Sequence, residues 1–204
     1  MQRILCSDTF ACVSDDLNVH VLDARSLRGL AHPLRMQLLT ALRRGGPATA
    51  SQLAQKLGES SGATSYHLRQ LAAYGFVEDA PEHGKGRERW WRAAHQGVQF
   101  DEALLQDPDP AVRGAAALFM HEVATLHAQE LSTFIGTAHD WPEEWSNASN
   151  VSDWTLRLTP ELARELNARM HELIESYRVR APEEGTAQAE QVRVHTHLFP
   201  TRTD

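Results

Sequence analysis

The sequence of 204 residues predicts a mainly α-helical chain of the α+β class, and three observations carry this prediction. Apolar residues recur every three or four positions over residues 24–43, 111–137 and 160–178, which is the spacing of amphipathic helices. Two short helices are expected over residues 49–57 and 60–74, separated by Gly58 and Glu59. A glycine-rich turn then joins two extended runs, residues 78–80 and 87–93, as a β-hairpin.

The second short helix keeps one face for a partner. Residues 60–61 can cap its start, and Gly75 suits the left-handed conformation at its end. At about 100° per residue, Thr64, Leu68 and Leu71 share one stripe. The opposite face is polar or basic and contains no acid: Gly62, Ser65, Tyr66, Arg69 and Gln70. A solvated surface helix is the alternative, but such helices usually carry Glu–Lys pairs, which are absent here.

The order of helix, tight turn, helix and hairpin is that of a winged helix-turn-helix. Four motifs in this order resemble the ArsR/SmtB-type winged-helix regulators: Leu-Ala-His-Pro-Leu-Arg at 30–35, Ser-Tyr-His-Leu-Arg-Gln-Leu at 65–71, Gly-Phe-Val at 75–77, and Gly-Arg-Glu-Arg-Trp-Trp-Arg at 86–92. The resemblance extends over residues 23–95. It implies a homodimeric transcriptional regulator that binds an operator in double-stranded DNA.

Four segments are expected along the chain. Residues 1–22 form an N-terminal arm with a strand near residues 19–22, and residues 23–95 form the DNA-binding domain, whose first helix is interrupted or restarted at residues 32–33. Residues 96–140 hold a connector and a long dimerisation helix. Residues 141–204 form a small strand-helix-strand module for dimerisation or a small-molecule effector, with extended runs at 155–158 and 191–199.

The helix over residues 111–137 supplies the expected dimer contact. In the resembling family a helix after the wing pairs with its symmetry mate, and the apolar stripe is wide enough for two partners. The stripe residues predicted for dimerisation are Val112, Ala116, Phe119, Val123 and Leu126. A helix of the chain's own core is the alternative interpretation of the same stripe.

The charge of the chain supports a nucleic-acid partner only when it is divided by segment. The formal net charge is −7, which is unusual for a DNA-binding protein. Residues 23–93, however, carry 11 Lys and Arg against 6 Asp and Glu, whereas the remainder carries 9 against 21. The basic segment can approach phosphate, while the acidic remainder is repelled from it.

Catalytic motifs are incomplete in this sequence. The motifs that begin at His121 and His171 place a Glu after the His, as zinc proteases do. The second His four positions on is replaced by Thr125 and Glu175 respectively. There is also no P-loop and no nucleophile elbow. The sequence therefore predicts no catalytic residue and no enzymatic activity.

Metal ligands are incomplete as well. Both cysteines lie before residue 13, whereas metal-sensing relatives place cysteines on the helices of the DNA-binding domain. His127 with Glu130 matches only half of the alternative His, Asp and Glu set, and the pair of histidines at 195 and 197 lacks a third donor. We expect no metal and no cofactor. A metal-responsive repressor remains an alternative.

Nothing in the sequence indicates a membrane. No run of roughly 18 apolar residues exists, and the N-terminus lacks the apolar region of a signal peptide. Two cysteines are too few for a disulfide framework. These features lead us to expect a cytoplasmic protein.

The sequence predicts a sequence-specific DNA-binding regulator that acts as a dimeric repressor. In this prediction the second short helix lies in the major groove and the tip of the hairpin reaches the neighbouring backbone. The residues expected to contact DNA are Ser61, Gly62, Ser65, Tyr66, Arg69, Gln70, Lys85 and Arg87. The alternative from another class is a winged helix that uses the same face to bind a protein.

Overall fold

The computed structural model of the chain describes residues 4–6, 18–84, 88–183 and 185–202. The chain divides into two compact units, residues 1–129 and residues 130–204. Within the described ranges, no helix combines the length and apolar character that a membrane span requires.

The described residues of the first unit form six strands and the beginning of the longest described helix. Its elements in chain order are β1 (Ile4–Cys6), β2 (Val19–Val21), α1 (Ala24–Leu30), α2 (Pro33–Gly45), β3 (Ala48–Thr49), α3 (Ala50–Leu57), α4 (Ser61–Ala73), β4 (Val77–Asp79), β5 (Trp90–Ala93) and β6 (Gly97–Phe100). Single 3₁₀ turns follow β4 at Pro81–His83 and β6 at Glu102–Gln106. Helix α5 (Pro110–Thr137) starts in the first unit and ends in the second.

The first predicted helix restarts at residues 32–33, which confirms the expected interruption. Asp23 caps α1 by accepting a hydrogen bond from the Ser26 N–H at 2.6 Å. His32 caps α2 through Nδ1, which accepts from the Leu34 N–H at 3.2 Å. Pro33 occupies the first helical position, where a missing N–H removes no helical hydrogen bond.

The core of the first unit lies where α1, α2 and α4 meet. Leu27, Leu38, Leu68 and Leu71 are fully buried there. Helix α1 approaches the end of α4 closely at Gly29, since a Cβ at this position would lie only 2.2 Å from Cγ of Tyr74. Any larger residue would have to displace the Tyr74 ring, so glycine is required by packing at this position.

Two small sheets flank these helices. In one, β6 lies between β1 and β2 and pairs with both in parallel, with Val19 opposite Gly97. Strand β2 was expected near residues 19–22, whereas β6 lies in the segment predicted as a connector. In the other sheet, β5 pairs antiparallel with β3 and β4, with Glu78 opposite Arg92. The β4–β5 pair is the predicted hairpin and forms the wing.

Helix α5 packs its apolar stripe on the core of its own unit. Val112, Ala116, Phe119 and Val123 are buried there, and the Phe119 ring stacks on Phe100 with centroids 5.3 Å apart. These four residues were predicted to hold a dimer, but their side chains are already covered within one chain. The intramolecular alternative accounts for this burial, and the dimer contact of α5 stays a prediction. Leu126, the fifth residue of the predicted set, is half-buried.

The second unit is mostly helical. After the end of α5 it contains a 3₁₀ turn at Ala138–Asp140, a short helix α6 (Glu143–Ala148) and helix α7 (Pro160–Val179). Thr159 caps α7 by accepting from the Leu162 N–H at 3.3 Å. The two flanking runs expected as strands, residues 155–158 and 191–199, take part in neither described sheet.

Candidate nucleic-acid interface

Helices α3 and α4 form a helix-turn-helix with a left-handed residue in the turn. Thr49 and Gln52 cap α3 reciprocally: Thr49 Oγ1 accepts from the Gln52 N–H, and Gln52 Oε1 accepts from the Thr49 N–H. Gly58 then adopts φ 70° and ψ 27°, a conformation that glycine takes without steric cost. Ser60 starts α4 by accepting from the Ala63 N–H at 3.2 Å.

Helix α4 is divided into a buried and an exposed face, as the helical wheel predicts. Thr64, Leu68 and Leu71 are completely buried against the core. Six of the residues predicted to contact DNA lie on the outer side: Ser61, Gly62, Tyr66 and Arg69 are exposed, and Ser65 and Gln70 are half-buried. The structure thus brings these six residues onto one surface.

The start of α4 offers unoccupied backbone donors. The first N–H groups of any helix lack partners within the helix, and the Ser60 cap satisfies only that of Ala63. Gly62 lies in this first turn, and a Cβ built on it would meet no heavy atom within 4 Å. Neither packing nor backbone conformation therefore requires glycine at this position. The absence of a side chain leaves the backbone accessible to a partner that approaches closely.

Ion pairs neutralise the two described arginines of the wing, Arg89 and Arg92. Arg89 forms a bidentate ion pair with Asp79, in which Nε donates to Oδ1 and Nη2 donates to Oδ2 at 2.7 Å. These two hydrogen bonds lower the pKa of the Asp79 carboxyl. Arg92 bonds Glu78 at 2.7 Å and Glu82 at 2.6 Å. The wing strands therefore carry little net positive charge. Lys85 and Arg87, which were predicted at the wing tip, lie outside the described residues.

A cleft of about 230 Å³ lies between the start of α3, the outer face of α4 and strand β5. Its lining residues are Thr49, Ala50, Ser51, Ser65, Arg69, Glu88, Arg89 and Trp91. Ser51 Oγ donates to Glu88 Oε1 at 3.3 Å, and the Arg89 guanidinium lies 4.0 Å above the Trp91 ring. Sequence reasoning missed Ser51, Glu88 and Arg89, since only the fold brings β5 beside α4.

A pair of histidines supports α4 from behind. The His67 ring lies 4.3 Å from the His32 ring, measured between centroids, so α4 contacts the cap of α2. Burial lowers the pKa of both imidazoles, and the neighbouring Arg35 lowers it further. Nδ1 of His67 is buried and has no hydrogen-bond partner among the described residues. His67 therefore holds α4 against the start of α2 by ring packing.

The described residues contain no group of three or more His, Cys, Asp or Glu side chains that could hold a metal ion. His195, one of the paired histidines, lies with Nε2 3.0 Å from Oε2 of Glu130. Arg193 contacts the same carboxylate, with Nη2 3.4 Å from Oε1. This cluster in the second unit is therefore an ion-pair network around Glu130.

Comparisons with known proteins agree with this domain. Residues 30–80 match the family model of a helix-turn-helix domain. Together with the wing formed by β4 and β5, this match confirms a winged helix-turn-helix domain in the chain. No curated protein matches the sequence significantly.

Several solved structures are similar to part of the chain. The transcriptional repressor BigR from Xylella fastidiosa is 22% identical, with coverage of 50% of this chain and 84% of that one and a TM-score of 0.31. The homodimeric winged helix-turn-helix domain of Mb0332 from Mycobacterium bovis, a possible ArsR-family regulator, is 23% identical, with coverage of 52% and 82% and a TM-score of 0.33. An ArsR-like regulator from Rhodococcus sp. RHA1 is 26% identical, with coverage of 56% and 92% and a TM-score of 0.30.

Proposed function

We propose that this chain is a sequence-specific double-stranded DNA-binding transcriptional regulator that acts as a dimeric repressor. The observation that carries the proposal is the exposed, acid-free outer face of α4, held on a helix-turn-helix frame. A second helix of this type is the element that enters the major groove in helix-turn-helix proteins. The basic charge of residues 23–93 favours approach to phosphate.

The residues on the outer face of α4 differ in the DNA groups that their side chains can contact. Arg69 and Gln70 lie in the middle of the helix and have the side chains that make bidentate contacts, Arg to guanine and Gln to adenine. Ser65 and Tyr66 reach bases or phosphate with their hydroxyl groups. At the helix start, the backbone N–H groups of Ser61 and Gly62 are suited to a phosphate oxygen.

The wing is proposed to contact the DNA backbone through its tip. Both described arginines of the wing form ion pairs, Arg89 with Asp79 and Arg92 with Glu78 and Glu82. Lys85 and Arg87 are therefore the wing cations that we assign to flanking phosphates. Arg69 forms no ion pair with any described residue, which leaves its guanidinium available in the cleft beside α4.

Repression and dimerisation are the finer parts of the proposal. The resemblance of residues 23–95 to ArsR/SmtB-type regulators supports both. One chain presents one α4, which can read a single half-site, so a two-fold dimer would read an inverted repeat. A small-molecule effector bound by the second unit remains a proposed partner.

A second candidate function is a winged helix that binds a protein through the same face. The ion pairs on the wing favour it, since Arg89 and Arg92 contribute little free positive charge there. Salt distinguishes the two functions. DNA binding releases counterions and weakens steeply with salt, whereas a protein interface of mixed charge depends on salt far less.

The test is a titration of fluorescently labelled duplex with the full chain at several salt concentrations. We expect a logarithmic affinity that falls linearly with the logarithm of salt concentration, by about 0.9 per phosphate contact. Arg69→Ala should weaken binding to a preferred sequence far more than to random duplex. Arg164→Ala, which removes an exposed cation of α7, is the matched control and should leave both unchanged. Absence of duplex binding at low salt would refute the proposal.

A further inference from the structure

The cleft beside α4 contains one acid among the described residues that line it. This acid is Glu88, which lies at the base of the wing and is exposed. Its neighbours in the lining are two hydroxyl side chains and two guanidinium groups: Ser51, Ser65, Arg69 and Arg89. Glu88 therefore brings negative charge to the edge of a face that is otherwise neutral or basic.

No cation among the described residues neutralises Glu88 in an ion pair. The guanidinium of Arg89 is held by the bidentate ion pair with Asp79 and lies 4.0 Å above the Trp91 ring. Arg69 lines the same cleft and forms no ion pair with Glu88. The hydrogen bond that Glu88 does make comes from Ser51, whose Oγ donates to Oε1 at 3.3 Å. The carboxylate thus keeps its negative charge and occupies one hydroxyl group.

The dimensions of the major groove indicate what this acid would meet on DNA. The groove is about 12 Å wide, and an α-helix with its side chains is about 10–12 Å across. A helix that fills the groove therefore leaves its immediate neighbours facing the rows of phosphates at the groove edges. The start of α3 and the base of the wing are such neighbours, since both line the cleft beside α4. Ser51 and Glu88 are then expected to face a phosphate.

These two side chains would act on a phosphate in opposite ways. A serine hydroxyl donates a hydrogen bond to a phosphate oxygen, as the Ser51 hydroxyl does to the Glu88 carboxylate. A carboxylate is itself an oxygen anion, so Glu88 repels a phosphate and competes with it for the same hydroxyl. The bond between Ser51 and Glu88 therefore occupies a donor that a DNA phosphate would use.

We propose, on the basis of the proposed DNA-binding function, that Glu88 lowers the affinity of the protein for DNA by holding the Ser51 hydroxyl and opposing a backbone phosphate at the cleft. The penalty applies to every duplex, because the phosphate backbone is the same whatever the sequence. At a given protein concentration, only a site whose base contacts offset the penalty stays occupied. Glu88 thus limits the time that the regulator spends on DNA without its operator.

Titration of two labelled duplexes with the full chain tests the proposal, one of mixed sequence and one selected from a random pool. Glu88→Gln removes the charge but keeps an oxygen that can accept from Ser51. This variant should bind both duplexes more tightly by a similar factor, about fivefold at low salt, which is the effect of one like-charge contact at about 4 Å in water. The gain should shrink as salt is added, because salt screens exposed charges.

Glu102→Gln is the matched control. It removes the same charge from the exposed Glu102 in the 3₁₀ turn after β6, which is not part of the cleft lining. Both affinities should stay unchanged in this variant. Because Glu88 and Glu102 are exposed, thermal unfolding of the two variants should match that of the parent protein.

Ser51→Ala distinguishes this role from a structural one. The proposal predicts weaker binding for Ser51→Ala, because a phosphate loses a donor, and tighter binding for Glu88→Gln. If the bond between Ser51 and Glu88 served only to place the wing, Ser51→Ala and Glu88→Ala would both weaken binding, and Glu88→Gln would bind like the parent protein.

Equal affinities of Glu88→Gln and the parent protein would overturn the proposal. A change confined to the selected duplex would also overturn it, since Glu88 would then act on a base and not on the backbone. Both results leave DNA binding by the parent protein intact and refute this inference alone. Failure of the parent protein to bind either duplex would remove the proposed function, and this inference with it.

Discussion

Replacing Gly62 by alanine should strengthen the fold and weaken DNA binding. Gly62 lies in the first turn of α4 at an ordinary helical conformation, and a methyl group there would meet no heavy atom of another described residue within 4 Å. Alanine in place of glycine on an exposed helix raises the free energy of unfolding by about 0.5–1 kcal/mol. For a unit of this size we expect the melting temperature to rise by about 2–4 °C.

The same methyl group should cost affinity if the backbone of Gly62 approaches DNA. We expect duplex binding to weaken by about tenfold, equivalent to about 1.4 kcal/mol. Gly114→Ala is the matched control, since Gly114 lies exposed in α5 and also has open space at its Cβ position. That variant should gain similar stability and keep full affinity. Fluorescence anisotropy measures the DNA affinity, and thermal unfolding measures the stability. Gly62→Ala that bound DNA as tightly as the parent protein would refute the reasoning.

Three further predictions concern the core, the histidines and metal. Phe119→Ala should lower the free energy of unfolding, measured with urea, by about 3–5 kcal/mol, because its ring is buried against Phe100. Leu118→Ala, on the exposed side of the same helix, should lower it far less. Equal losses in the two variants would contradict this prediction. Burial lowers the pKa of His20 and His95. Below about pH 6.5 the unfolded chain therefore binds more protons than the folded chain, so the urea midpoint should fall as the pH is lowered. A midpoint that rises on acidification would contradict this prediction. Dialysis against a chelator should leave DNA affinity unchanged, and a saturable change of about tenfold with zinc would show that a metal site had been overlooked.

Much of the first unit could be predicted because its signals are local. Pro33 and Gly75 mark helix boundaries by their own backbone chemistry, and the spacing of Thr64, Leu68 and Leu71 defines the buried face of α4. The outer face follows from the same wheel. Six of the eight predicted contact residues therefore lie together, although their contact with DNA stays a prediction.

The features that escaped prediction depend on distant parts of the chain. Strand β6 is four residues long, and its partners β1 and β2 lie more than 70 residues earlier. No local pattern reveals such pairing. The cleft beside α4 likewise requires Arg89 of the wing to stand next to Arg69. Side-chain pairs such as Arg89 with Asp79 also decide how much charge the wing presents, and composition alone does not show them.

Two predictions concern patterns that indicate a covered face but not the partner that covers it. The stripe containing Val112 and Phe119 indicates that one face of α5 is covered, and its own core covers it. The alternation at residues 191–199 predicts a strand with two different faces, but a ladder needs a second strand, and this run takes part in neither described sheet. In neither case does the sequence pattern alone identify the surface that packs against the apolar face.

Selection of bound fragments from a random DNA pool by the full chain tests most directly whether α4 reads a DNA sequence. We predict enrichment of an inverted repeat whose half-sites lie about one helical turn, roughly 10 bp, apart. With Arg69→Ala, one base position in each half-site should lose its preference, since an Arg fork on guanine contributes about 1–3 kcal/mol of discrimination. A pool without any enriched sequence would contradict the assignment of α4 as the helix that reads the bases. The same conclusion would follow if Arg69→Ala and the parent protein enriched the same sequence with the same base preferences.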